Sequence, residues 1–229
     1  MSSSKTSLSF FLVFTLLSTL CFEIEPAFDY YILATHWTPT FCRFNPCIPN
    51  ASIGLLIHGL WPSNITGYQP QYCNRADKFD YQNVVSLEPK LSNQWPDLLR
   101  SSSQQFWADQ WDKHGTCSGL SQFDYFDKAL KVFESISPMT GLYRIPTPAY
   151  RPGNWFIPIN LVNDWEHQYG YFPKITCSFD HRGRYELFFE LHYNVSVAWN
   201  PTDGKLQPQS IINVRDRNSC WRNTVYFPN

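Results

Sequence analysis

At 229 residues the chain has room for one domain, and its formal net charge of −1 lacks the basic excess that tight, non-catalytic nucleic-acid binding demands. Its longest apolar run, Leu8–Leu20, is too short to span a membrane, and no second run approaches that length. An integral membrane protein and a storage or scaffold protein on nucleic acid are both disfavoured.

Met1–Ala27 reads as a signal peptide, because Lys5 precedes the apolar run and small residues suited to cleavage lie between Ser18 and Ala27. Its removal takes Lys5, Glu23 and Glu25 and leaves 17 bases against 17 acids in a single secreted, extracellular domain, residues 28–229. Phe28–Trp37 is rich in aromatic and aliphatic residues and predicts a strand. Ser52–Ile57 is a second apolar run, stopped by His58-Gly59 and Pro62. Gln82–Leu91 predicts a helix near its start, limited by Pro89. Phe106–His114 also suits a helix, with Gly115 ending it. Ser121–Ile136 spaces Phe123, Phe126, Ala129, Leu130 and Phe133 helically, with Ser121 as cap. Leu142–Trp155 is proline-rich and reads as loop, and Lys174–Phe179, Tyr185–Val197 and Trp221–Phe227 read as strands. Strands and helices mix without βαβ regularity, which predicts an α+β fold.

Six cysteines remain beyond the leader: Cys42, Cys47, Cys73, Cys117, Cys177 and Cys220. In an oxidising compartment they predict three disulfides. The sequons at Asn50, Asn64 and Asn194 are compatible with glycosylation.

Two segments carry the chemistry, Ile57–Ser63 and Phe106–Cys117. On a helix, Phe106, Gln110, Lys113 and His114 fall on one stripe, with Trp107 and Trp111 on the neighbouring, core-facing one. With His58, that stripe makes two imidazoles and an ammonium, a minimal kit for metal-free phosphodiester cleavage. One imidazole takes a proton, the other returns one, and the ammonium stabilises the charge between them. Each motif alone has a plainer reading. His58 could be a hydrogen-bonded core histidine at a strand end, and His114 and Lys113 could simply favour a helix C-terminus. Only their joint occurrence favours catalysis. A zinc hydrolase built from His36, His58, His114, His167, His181 or His192 lacks the short helical ligand spacing.

At IHGLWPS and FWADQWDKHGTCS the chain resembles the secreted ribonuclease T(2) family, its plant members above all, and matches that family's two active-site signatures. The likeness extends to Phe28–Tyr31, Trp95–Arg100, Phe172–Cys177 and Cys220 with Phe227. The resemblance implies an α+β fold, a central antiparallel sheet with packed helices, stapled by Cys42–Cys47, Cys73–Cys117 and Cys177–Cys220. Many plant relatives have a fourth disulfide where this chain holds His192 and Val214. The resemblance makes His58 the general acid for the leaving 5′-oxygen, His114 the base for the 2′-hydroxyl and Lys113 the cation for the phosphorane. RNA is then the substrate, cleaved to 2′,3′-cyclic phosphates and then 3′-phosphates by a monomer needing no metal and no cofactor. Many members carry His-Glu where this chain has Asp109-Gln110. Gln110 can still donate a hydrogen bond, whereas Asp109 offers none of an imidazole's cationic contacts. At the base-binding positions His36 replaces a common glutamine and Asp97 an asparagine. Leu99 and Phe106 are retained there, and Trp61 is a further substrate contact. Such variation fits a pistil self-incompatibility ribonuclease, which would need an F-box-type partner. The balanced charge fits a general defence or phosphate-scavenging enzyme, and a weakly active storage or recognition glycoprotein is the remaining alternative.

Overall fold

A computed structural model describes residues 28–64, 66–140, 153–169, 174–179, 185–196 and 225–226. The first strand, β1 (Tyr30–Trp37), is buried along its whole length, as an aromatic and aliphatic run is when both sheet faces are covered. It pairs antiparallel with β2 (Leu55–Ser63) on one side and with β5 (Tyr185–Ser196) on the other. β5 also takes β4 (Lys174–Phe179) antiparallel and touches β6 (Val225–Tyr226) in parallel, and β6 pairs antiparallel with β3 (Trp155–Phe156). The sheet order is β2-β1-β5-β6-β3, with β4 against β5. This is the expected α+β, mainly antiparallel architecture.

Five helices accompany the sheet among the described residues: α1 (Thr38–Phe44), α2 (Glu88–Gln94), α3 (Gln104–Lys113), α4 (Gln122–Thr140) and α5 (Pro158–Tyr169). α4 begins as expected, with Ser121 Oγ accepting the Asp124 backbone N–H at 3.1 Å. The helix packs on β1 and β2, where the Tyr125 hydroxyl donates to the Leu60 carbonyl at 2.8 Å. The core between α3, α4 and the sheet is aromatic, with Trp95, Trp107, Trp111, Tyr125 and Phe126 all fully buried.

Two expectations need correcting. β2 does not stop at His58-Gly59 but runs through them and Pro62 to Ser63. A bulge makes this possible, since Ala34 faces Gly59 while Thr35 faces Ile57, leaving His58 as the extra residue. Pro62 is tolerated because β2 is an edge strand among the described residues, where a missing N–H costs no ladder bond. Pro89 likewise does not limit a helix; it lies in the first turn of α2, after two short 3₁₀ turns, Tyr81–Asn83 and Val85–Leu87. Proline is favoured there because that N–H has no intrahelical partner. α1, α5 and β3 were not anticipated.

The Cys42–Cys47 and Cys73–Cys117 disulfides form as the resemblance implied. Cys220, Val214, the leader and residues 141–152 of the proline-rich segment lie outside the described residues. Asn50 is exposed, Asn64 is half-buried, and Asn194 lies on β5 opposite Ile32.

Candidate active site

The β2 bulge turns His58 out of the pleat, and its carbonyl, freed from the ladder, accepts the Trp95 indole N–H at 3.0 Å. The His58 ring lies half-exposed, edge-on to Trp61 with centroids 5.4 Å apart, and 5.5 Å and 6.1 Å from His36 and Phe106. Gly59 must lack a side chain, since a Cβ there would overlap both the Gln110 amide oxygen and the Trp61 indole nitrogen. Those two groups are themselves joined, Trp61 Nε1 donating to Gln110 Oε1 at 3.3 Å.

From the other side, α3 presents Phe106, Gln110 and Lys113 on one stripe, while Trp107 and Trp111 bury in the core as expected. Their indoles donate to the Trp95 and Asp77 carbonyls at 2.8 and 3.0 Å, which fixes the helix about its axis. His114 is the C-cap rather than a helical residue, its N–H still reaching the Gln110 carbonyl at 2.9 Å. A Cβ on Gly115 would collide with the Trp111 ring, so this turn too needs glycine.

A cleft of about 420 Å³ collects His36, His58, Phe106, Gln110 and Lys113, together with Asp97, Leu99 and Asp109. His114 and Trp61 do not line it. They join the group through ring contacts, His114 stacking on Trp61 with centroids 5.3 Å apart and planes at 24°. Only 3% of His114 is exposed, and its pKa falls to about 3, chiefly by burial, then by the Lys113 and His58 charges. It is therefore a neutral imidazole at physiological pH. His36 is also buried and neutral, pushed down to about 3 by burial and secondarily by His58. It stacks on Phe41 at 4.7 Å, and neither of its ring nitrogens has a hydrogen-bond partner.

The acids of the cleft are engaged. Asp97 is buried, accepting the Leu99 backbone N–H at 2.8 Å and Arg100 Nε at 2.5 Å. Asp109 is exposed and takes Arg100 Nη2 at 3.2 Å and Gln105 Nε2 at 2.9 Å. Asp109 itself supplies no imidazole-like cationic contact, but it holds the Arg100 guanidinium at the cleft. Arg100 itself was not singled out from sequence; its signal was a lone cation three residues beyond Asp97. Tyr72, on the far wall beside Lys113, was missed as well. So was Lys128, buried in α4 over the Tyr31 ring and pushed down to about 8 by desolvation. Among the described residues no group of three His, Cys, Asp or Glu side chains is arranged to hold a metal. No described helix is long and apolar enough to cross a membrane.

The family model described as "Ribonuclease T2 family" matches residues 28–204. Intracellular ribonuclease LX of Solanum lycopersicum is 31% identical over 197 residues, 82% of this chain and 81% of its own length. Ribonuclease S-2 of Nicotiana alata is 32% identical over 186 residues, 78% and 82% of the two chains. Among solved structures, RNase NT in complex with 5′-AMP superposes with a TM-score of 0.72 at 25% identity, over 88% of this chain and 98% of that one. Ribonuclease MC1 from bitter gourd seeds gives 0.71 at 26% identity, over 87% of this chain and 100% of its own.

Proposed function

Since the chain belongs to the ribonuclease T2 family, we propose that it is a metal-independent endoribonuclease that cleaves single-stranded RNA by transesterification. The observation that carries this reading is the convergence on one cleft of a half-exposed imidazole, an ammonium and an amide, with a neutral imidazole stacked beside them. Neutral His114 has a lone pair to take the 2′-hydroxyl proton, and the freed oxygen then attacks phosphorus. His58 gives its proton to the departing 5′-oxygen, leaving a 2′,3′-cyclic phosphate. Water opens that ring with the two roles exchanged, giving a 3′-phosphate. Lys113 neutralises the phosphorane oxygens. The Trp61 indole can only donate, so it fixes Oε1 of Gln110 towards itself and leaves the amide Nε2 as donor for a phosphate oxygen. Phe106 offers a stacking face for a base. His36, with two unpartnered ring nitrogens, and the Asp97 carboxylate offer polar contacts to its edge.

The N-terminal Lys5 and Leu8–Leu20 pattern supports a cleaved leader and secretion of one domain. Relatives carry both an extracellular name, ribonuclease LE of Solanum lycopersicum, and the intracellular one above. The Asp109-Gln110 pair favours a self-incompatibility version, and pistil-restricted expression with allelic polymorphism would distinguish it from a general enzyme. The direct test is digestion of RNA by the purified protein with chelator present. Expected products are 2′,3′-cyclic phosphates, with no cutting of DNA. Strict metal dependence or DNA cleavage would overturn the mechanism.

A further inference from the structure

Among the described residues, Tyr72 is one of two non-glycine residues with positive φ, at +54°, a costly conformation for a large side chain. The surrounding contacts show what holds it there. Its backbone N–H donates to the Lys113 carbonyl at 2.9 Å, satisfying an end group that α3 would otherwise leave open. The next residue, Cys73, is bonded to Cys117, just past the same helix end. Asn74 then opens a turn, its side chain accepting the Ala76 N–H at 3.2 Å. The Asp77 carbonyl takes the Trp111 indole at 3.0 Å, and Lys78 pairs with Asp112 at 3.2 Å. Residues 72–78 are thus fastened at four points to the helix end that carries Lys113 and His114.

What this mount displays is an aromatic ring and a cation. Tyr72 is 46% exposed yet lines the cleft, and the Arg75 guanidinium carbon lies 5.4 Å from the centroid of its ring. The opposite end of the cleft already has a stacking face in Phe106, beside His58. Phe106 and Lys113 are seven residues apart on α3, a rise of about 10 Å, which exceeds the ~3.4 Å per nucleotide along one strand of a stacked duplex. A nucleotide bound at Phe106 therefore leaves the Tyr72 end free for another along the strand.

We infer that Tyr72 and Arg75 form an outer subsite for a single-stranded ribonucleotide that leaves the cleft past Lys113, beyond the reacting phosphodiester. The ring stacks the base and the guanidinium pairs with its phosphate. This rests on the ribonuclease reading above. Its consequence is a gain in affinity with substrate length that the reacting dinucleotide alone does not receive.

The test uses uncleavable 2′-O-methyl oligoribonucleotides, a dimer and a hexamer, titrated by fluorescence against the full protein. Wild type should bind the hexamer more tightly. Tyr72→Asn removes the ring but suits positive φ, and Tyr72→Phe keeps it. The first should weaken hexamer binding roughly 5–10-fold more than dimer binding, and the second should not, at the low end of base–aromatic stacking energies. Arg75→Ala should lower the slope of log affinity against log salt for the hexamer by about 0.7. Equal losses on dimer and hexamer, or no loss on either, would overturn the subsite. Wild-type digestion of RNA is measured separately. A protein that cuts RNA without a length gain refutes only this inference, and one that shows the gain but cuts nothing refutes the ribonuclease reading.

Discussion

His58 and His114 are the same residue, each followed by glycine and each in contact with Trp61, yet the fold treats them differently. His58 stands half-exposed on a strand bulge and meets the Trp61 ring edge-on. His114 caps a helix, is almost wholly buried and lies flat on the same ring. The difference separates two tasks that one residue type must share. Burial and the neighbouring Lys113 charge hold His114 neutral, as a proton acceptor requires, while access to the cleft suits His58 to meeting a leaving group. Trp61 spaces the two rings and, through Gln110, ties the strand motif to the helix motif.

The largest effect should come from removing either imidazole. His58→Ala and His114→Ala should each lower RNA cleavage by ~10²–10⁴-fold, the usual contribution of a positioned acid or base. The contrast adds a second readout: His114→Ala, by emptying a buried site under Trp61, should also lower the melting temperature more than His58→Ala does. Near-normal turnover by a folded variant would end the assignment of that histidine.

The two glycines sharpen the same contrast. A Cβ at Gly59 meets Gln110 and Trp61, which belong to the site, whereas one at Gly115 meets Trp111, which belongs to the core. Gly59→Ala should therefore cost on the order of 10²-fold in rate through a small displacement of reacting groups. Gly115→Ala should instead lose about 1–3 kcal/mol of stability, as overpacking does, seen in denaturant unfolding. If both variants lose mainly stability, Gly59 is a packing residue and nothing more.

Burial makes a pH prediction with a definite sign. The folded pKa values of His114 and His36 lie at about 3, against an ordinary value of 6.5. Between those limits the unfolded chain binds protons that the folded one refuses, so stability falls as pH drops through that window and is unaffected above it. Melting temperature measured from pH 7 down to pH 4 should decline, and less steeply in His36→Phe, which keeps the stack on Phe41 but cannot charge. An unchanged slope would mean His36 is not buried neutral.

What was legible in the chain was whatever depends on one segment at a time. The stripe of Phe106, Gln110 and Lys113 follows from helical spacing, as does the burial of Trp107 and Trp111, and the Ser121 cap from its neighbours. The β2 bulge could not be read, because it exists only in the pairing with β1; from within the strand, His58-Gly59 looks like an end. Pro89 was ambiguous for a related reason, since proline both stops a helix and begins one, and only the preceding 3₁₀ turns decide. α1 is a seven-residue helix whose apolar positions are too few to show a period. The Arg100 bridge joins Asp97 and Asp109 across twelve residues, and no local pattern announces it.

The smallest effect tests the amide at the join between the two motifs. In Gln110→Glu the Trp61 N–H keeps an acceptor, so the packing against Gly59 should survive and the melting temperature should barely move. The donor to the phosphate oxygen is what changes. A carboxylate cannot donate, and its charge repels the phosphorane, whereas the protonated acid can donate again. Turnover should thus fall at neutral pH by about 10-fold, the worth of one hydrogen bond to a charged group, and recover towards the acid side. The partner substitution Asp109→His removes one of the two carboxylates on Arg100 but leaves Asp97 in place, so alone it should alter substrate affinity more than turnover. Identical pH–rate profiles for Gln110→Glu and wild type would show that Gln110 holds Trp61 in position without itself contacting the reacting phosphate.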